Sequence, residues 1–551
     1  MISGYSECMK RSTALAQVIG DQIRCTVKTP SGKAIVVSGA IDSINPSIEG
    51  SPELSRNQAL VSNAWAFALC TAKKVLLSTE EEQNKEARTA KVHHGTTIWI
   101  AEYIDQLTGA SIVGWCSSCI CHSEHFKVKR PVGVLPTWLC DSCGSPTVAC
   151  MVPNCPNMAS KNFKAGQDRK YCAEHRHDIP SFEHADDAIE SLNDYKDFMS
   201  YSKPNFARGT KLIAYSALGA IVVGPLSLVA APAIGGAAGA LVGGYSGAAA
   251  TSFGLAWLGG GSLAAGGLGM AGGTMVLTAV GSALGSGLSA SITNSYVQED
   301  KSFHIEMLKG GTGVPVVVCN GFLSERGRGW GEWKKIVTER YPDSPVYRVH
   351  WGAKELKHIG FVARDGAVRG GLPVVVQGLA AQAGREAAKR LGPVGPLLAA
   401  AEAARNPWHV ARNRADKTGI ILADILARSL EGPFVLIGHS LGARIVTVAA
   451  QALSSRKERP QIETIHLLGN AIRSNTDWEK LAGAVNEKVY NYHSGRDQVL
   501  KKVYFVAQGG QSAAGYSGFV LPERAKAKIE NINVTEQVDG HSKYQEHVKL
   551  R

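Results

Sequence analysis

The sequence predicts an α/β protein whose catalytic half is a mostly parallel sheet, preceded by a Gly/Ala-rich apolar region and a small metal-binding module. Three observations predict this. From about residue 302 short apolar strands alternate with helical segments, as in a parallel sheet covered on both faces. One strand, Phe434 to Ile437, runs straight into a glycine-flanked serine and then a helix. Further upstream, Leu212 to Gln298 contains no Asp, Glu, Lys or Arg over roughly 87 residues, whereas about 20 apolar residues span a bilayer as helix.

At 551 residues the chain exceeds one ordinary core and suggests three or four units. The formal charge of +12 favours polyanionic partners. Its basic residues do not alternate with aromatics, so an anionic membrane surface is expected and nucleic acid is not. Residues Met1 to Ser31 lack the basic, apolar and small-residue succession of a Sec signal. Synthesis in a reducing compartment is therefore expected, with any delivery to another cell by a non-classical route. Most of the 12 cysteines sit at metal-ligand spacing in one window, which suits reduced thiolates better than disulfides.

Residues 1–110 read as a small mixed α/β region of unknown role, with a β-rich run Gln22 to Val27 and a helix over Gln58 to Leu77. The charged run Ser78 to Lys91 reads as a solvated helix or linker.

Residues 111–180 hold the cysteine window. Cys116-x2-Cys119, then Cys140-x2-Cys143, has zinc-ribbon spacing, and Cys150-x4-Cys155 with Cys172-x2-His175 completes a second set. Two structural zinc ions are expected, since four protein ligands leave no open position for substrate. Partner exchange with Cys121, His122, His125 or His177 stays open. The module is expected to serve scaffolding or a protein partner. No cofactor is expected for catalysis.

Residues 181–210 read as a polar helical connector. Residues 211–298 form the apolar band, where Pro225 and Pro232 interrupt the first part and small residues recur, as in Gly235-Gly236-Ala237-Ala238-Gly239. Such spacing lets helices pack closely in lipid, so membrane-associated helices are expected, as two to four spans or re-entrant hairpins.

Residues 299–551 carry the catalytic domain, with a basic cap insertion over about 352–430. Its strands are read at Val316 to Cys319, Val346 to His350, Phe434 to Ile437, Ile465 to Leu468 and Val489 to Tyr492. Gly438-His439-Ser440-Leu441-Gly442 between strand and helix is the context of the nucleophile elbow of an α/β-hydrolase. Its glycines are required because side chains there would collide with the adjoining strand and helix.

Ser440 needs a histidine to take its proton and a carboxylate to fix that histidine's tautomer. In this fold the order is serine, acid, histidine. Asp497, just past a strand, is placed as the acid and His541, near the C-terminus, as the base; Asp539 or Asp477, and His547 or His493, are rivals. His439 is read as a packed elbow side chain. The oxyanion donors are assigned to the amides of Leu441 and of Phe322, within Asn320-Gly321-Phe322-Leu323.

Several of these motifs occur together. The small-residue band, Val318 to Glu325 with Trp330 and Trp333, Tyr347 to Trp351, Asn406-Pro407-Trp408, Arg414-Ala415, Gly419 and Leu436 to Arg444 resemble the domain-of-unknown-function 726 family. Its members include the eukaryotic transmembrane and coiled-coil domain-containing proteins. The likeness covers about 205–510 and implies an α/β-hydrolase with membrane-associated segments and lipase or esterase activity. Ser440, Asp497 and His541 carry over to it, His541 from the more divergent tail. The expected function is a membrane-associated serine lipase, phospholipase or esterase. The alternative is a membrane-permeabilising or interaction protein, such as a secreted antibacterial effector, with a non-catalytic hydrolase domain.

Overall fold

The computed structural model describes residues 11–41, 46–76, 80–161, 170–206, 302–321, 328–352, 395–454, 462–475, 478–505, 508 and 510–551, with scattered positions between 284 and 300. They fall into two compact units. Of the described residues, the first holds those up to Asp186 and 198–206, and the second holds Asp187–Asp197 and those from Tyr296 to Arg551.

The first unit starts with an antiparallel meander of β1 (Thr13–Ile19), β2 (Gln22–Lys28), β3 (Ala34–Ala40) and β4 (Ser47–Gly50). Alternation along β2 buries Ile23, Cys25 and Val27, because successive side chains point to opposite faces. Two helices, α1 (Gln58–Leu76) and α2 (Glu80–Asp105), follow. The charged run expected as linker or helix is the start of α2.

A second antiparallel sheet runs in the order β5 (Leu107–Trp115), β6 (His122–Val128), β7 (Thr137–Cys140), β8 (Pro146–Ala149) and β9 (Met158–Ser160). Val128 and Leu139 of this sheet share one apolar core with β2, β3, α1 and α2. Residues 1–110 and 111–180, read separately in the sequence, are therefore joined by packing. The connector differs from its expected helix: after residue 181 it consists of turns and one short 3-10 helix, Leu192–Lys196. Its start is marked by a capping box in which Asp194 Oδ2 accepts the Ser191 N–H at 3.1 Å.

The second unit is a seven-stranded sheet in the order β10 (His304–Lys309), β12 (Val346–His350), β11 (Val316–Cys319), β13 (Phe434–His439), β14 (Ile462–Leu468), β15 (Val489–His493) and β16 (Ile529–Asn533). Only β10 is antiparallel to its neighbour. On one face Val316, Val318, Val435 and Ile437 pack on Trp333, Ile336 and Val337 of α3 (Trp333–Arg340) and on Tyr544. The other face takes α5 (Leu441–Leu453), which packs in turn on α4 (Gly395–Arg428).

Burial on both faces explains why β11 and β13 are apolar throughout. Arg444 of α5 donates two hydrogen bonds to Asp416 of α4, at 2.6 and 2.9 Å. The expected cap reached to about residue 430, but Ala415 and Ile420 to Leu426 are buried in the body of the domain. Among the described residues no helix is long and apolar enough to cross a membrane. The apolar band up to residue 283 and cap residues 353–394 lie outside those described.

Candidate active site

The parallel register sets Cys319 of β11 beside Gly438 of β13, so the loop leaving β11 runs level with the turn leaving β13. That turn is tight. Ser440 has φ 59° and ψ −122° and stands immediately before α5, in a region that side-chain-bearing residues seldom occupy. A Cβ at residue 438 would come within 2.4 Å of Ala443 Cα, and one at residue 442 within 2.0 Å of the Cys319 carbonyl oxygen. The two elbow glycines are thus required by the helix start on one side and by β11 on the other.

Two segments that follow the parallel strands β15 and β16, and so leave the sheet at the same end as the turn after β13, complete the constellation. His541 Nε2 lies 2.8 Å from Ser440 Oγ, and His541 Nδ1 lies 2.7 Å from Asp497 Oδ2. Ser440 is 3% exposed, His541 9% and Asp497 0%. Asp497 follows β15, and its other oxygen accepts the Leu500 N–H at 3.0 Å. Tyr544 Oη donates to Asp497 Oδ2 at 3.3 Å. Ser494 Oγ donates to the Val538 carbonyl at 2.6 Å, tying the segment of Asp497 to that of His541. The rivals lie elsewhere: Asp539 is exposed, His547 pairs with Glu546, and Asp477 is outside the described residues. His493 caps β15 with Nδ1 buried and unpartnered.

Sequence reasoning did not give His439 a job. Its Nε2 lies 2.8 Å from the His541 carbonyl oxygen. Burial, reinforced by the neighbouring His541 imidazole, pushes its pKa down to about 3. It is therefore neutral, and an Nε2–H donated to that carbonyl holds the His541 backbone. Tyr544 is also kept un-ionised, by burial first and then by the Asp497 charge.

Gly321, expected only as part of the oxyanion segment, has a further role. A Cβ there would lie 2.6 Å from Ser440 Cβ and 3.0 Å from its Oγ, so the backbone after β11 lies against Ser440. The adjacent Asn320 is held twice. Trp333 Nε1 donates to its Oδ1 at 2.5 Å, and Trp351 Nε1 donates to its carbonyl at 2.9 Å. The tryptophans were visible in the sequence, but their common target was not. Leu441 is the first residue of α5, so its N–H has no intrahelical acceptor and is available to a ligand. Phe322 lies outside the described residues.

The first unit carries two sets of ligand atoms, each within 4.8 Å of one another: Cys116, Cys119, Cys140 and Cys143, then Cys150, Cys155, Cys172 and His175. Sulfur separations are 4.0 Å for Cys116 to Cys143, 3.9 Å for Cys119 to Cys140 and 3.9 Å for Cys155 to Cys172. His175 Nδ1 lies 3.6 Å from the sulfurs of both Cys150 and Cys155. Both sets could hold a metal. Of the open substitutes, Cys121 is exposed, His125 bonds Thr147, and His177 bonds the Lys203 carbonyl.

A third cluster, His304, Glu306 and His350, was not foreseen. The two imidazoles stack 4.0 Å apart and 5° from parallel, and His350 Nε2 lies 3.0 Å from Glu306 Oε2. Glu306 also accepts the Gly329 N–H at 3.0 Å, while Arg348 donates to the Gly329 carbonyl at 2.6 Å. Both bonds fix the backbone of Gly329.

A family model described as "Protein of unknown function (DUF726)" matches residues 207–550. Among curated proteins, the rice transmembrane and coiled-coil domain-containing protein STS1 is 29% identical over 294 residues, 49% of this chain and 41% of that protein. "Probable lipase MIL1" of Saccharomyces cerevisiae is 37% identical over 142 residues, 25% of this chain and 13% of that protein. An uncharacterized membrane protein of Schizosaccharomyces pombe is 34% identical over 148 residues, 26% of this chain and 19% of that protein. The chain thus spans less than half the length of each of these relatives. The solved acetyl xylan esterase 1 of a Thermoanaerobacterium aligns at TM-score 0.23 and 11% identity over 44% of this chain and 74% of that one, too distant to inform the reading.

Proposed function

Because the chain belongs to the DUF726 family, whose description leaves activity open, we propose from the site itself that residues 299–551 form an α/β-hydrolase domain that cleaves an ester through an acyl-enzyme. The observation that carries the reading is the continuous line of hydrogen bonds from Ser440 Oγ to His541 to Asp497.

Ser440 Oγ attacks the acyl carbonyl carbon as its proton passes to His541 Nε2. Asp497 holds the Nδ1–H tautomer and stabilises the imidazolium. The oxyanion takes hydrogen bonds from the Leu441 amide and from the amide after Gly321. The C–O bond then breaks, and the alcohol leaves with the proton from His541. Water adds to the acyl-serine by the same route in reverse, giving the acid and free Ser440.

Lipid esters are the proposed substrate class, at a membrane. The apolar band next to the domain supports this, as do relatives named as a probable lipase and as membrane proteins. In the first unit the two ligand sets are proposed to hold structural zinc. A tetrahedral ion with Zn–S of about 2.3 Å puts its sulfurs about 3.8 Å apart, close to the separations found. Bound zinc would cross-link loops that own little apolar core.

The test compares wild type and Ser440→Ala on a panel of phospholipids and short acyl esters. Ser440→Ala is expected to lose at least about 1,000-fold in turnover. Equal turnover by both proteins would remove the reading. Undiminished vesicle leakage by a hydrolytically dead variant would favour the permeabilising alternative.

A further inference from the structure

The β6–β7 hairpin ends in Pro131-Val132-Gly133-Val134-Leu135-Pro136, and all six residues are exposed. Val132 is 105% exposed, Val134 39% and Leu135 48%. A chain with apolar side chains to spare for its core has no internal reason to display three of them on one tip. The tip is also shaped in advance. Val134 N donates to the Pro131 carbonyl at 3.2 Å, Gly133 turns the chain at φ 86°, and Thr137 Oγ1 closes back on the Leu135 carbonyl at 3.1 Å. Little conformational freedom remains to be lost on binding.

Behind the tip stand Lys127, Lys129 and Arg130, and residues 127–136 contain no carboxylate. Both lysines are exposed, and Arg130 lies over the Tyr103 ring at 5.0 Å. The far end of the hairpin reaches the first ligand set, since β7 ends at Cys140, whose sulfur lies 3.9 Å from that of Cys119 in the turn before β6.

We propose that this tip is a membrane-docking site whose partner is an anionic lipid bilayer, with Val132, Val134 and Leu135 entering the acyl boundary and Lys127, Lys129 and Arg130 meeting the headgroups. Apolar residues ahead and cations one step behind match the order of acyl chain and phosphate met from outside a bilayer. Nucleic acid would want aromatic rings for the bases, and the tip has none. The inference rests on the membrane association proposed above and is independent of the ester chemistry.

The test is hydrogen exchange of the full chain with vesicles of phosphatidylcholine alone or mixed equally with phosphatidylglycerol. The amides of 132–135 are expected to slow only with the anionic vesicles. Each cation near anionic lipid is worth about fivefold in affinity, so Lys127→Gln with Lys129→Gln should weaken vesicle binding about 25-fold. Val132→Asp with Leu135→Asp should abolish the protection while zinc content and hydrolysis of a soluble short ester stay unchanged. Vesicle binding with no slowing at 132–135 would overturn the docking site yet leave membrane association standing; no binding to either vesicle would overturn both. Protection by single-stranded DNA in place of vesicles would also overturn it.

Discussion

Gly321→Ala is the most informative single change, because it adds one methyl group beside Ser440 and replaces none of Ser440, His541 and Asp497. The new Cβ would lie 2.6 Å from Ser440 Cβ and 3.1 Å from the His439 carbonyl oxygen. Carbon atoms in contact rest about 3.5 to 4.0 Å apart, so the serine or the loop must give way by about 1 Å. Neither has slack, since the serine's φ is fixed by the elbow and Asn320 is clamped by two indoles. A misplacement of about 1 Å at reacting atoms costs about 100-fold, or about 2.7 kcal/mol in activation free energy. The overpacking should cost about 1 to 3 kcal/mol of stability, which leaves the domain folded. Two measurements check this: kcat/KM on a soluble acyl ester, and the rate of fluorophosphonate labelling at Ser440, which needs no knowledge of the natural acyl group. Wild-type values in both, in a variant of normal thermal stability, would show that the loop after β11 does not border the reacting atoms.

Asp497→Asn should keep the fold yet lower kcat by about 10⁴-fold, because the amide no longer fixes the Nδ1–H tautomer of His541; an ester assay showing a loss below tenfold would contradict the assigned acid. Burial holds His439 and His466 down to about 3, whereas imidazoles of an unfolded chain titrate near about 6.5. Below about 6.5 the unfolded chain therefore binds protons that the native state refuses. Stability is complete above that pH and falls towards pH 3, by about 1.4 kcal/mol per pH unit for each histidine. Thermal unfolding between about pH 7.5 and 4.5 should show this, and His466→Gln should reduce the slope by about one proton. For the metal sets, elemental analysis should find two zinc ions per chain, falling to one in Cys143→Ser and again to one in Cys155→Ser, each with a lower unfolding temperature. Full zinc content in either variant would reject the ligand assignment.

Legibility followed burial. The central strands β11 and β13 are enclosed on both faces, so their apolar runs announced them, and their bounds fall at or within two residues of those read from the sequence. The outer strands β10 and β16 were not read: His304-Ile305-Glu306 and Ile529-Glu530-Asn531 mix charge with apolar residues because each borders solvent on one side. Likewise the run up to residue 430 reads as cap because alanine and arginine dominate it. Its last turns are buried only because α5 offers an apolar face to cover.

By itself the sequence determined what local chemistry demands: a serine between glycines at the end of an apolar strand, an acid and a histidine following in order, and cysteines spaced for two tetrahedral sets. A tight turn or a metal knuckle constrains residues close in the chain, so its signature is written within a few positions. Only the tertiary structure decided that His541 and not His547 faces Ser440 across 101 residues, that Gly321 leaves room for the Ser440 side chain, and that two distant tryptophans hold one asparagine. Those choices depend on sheet register and loop packing, in which each partner's position is set by atoms far away along the chain.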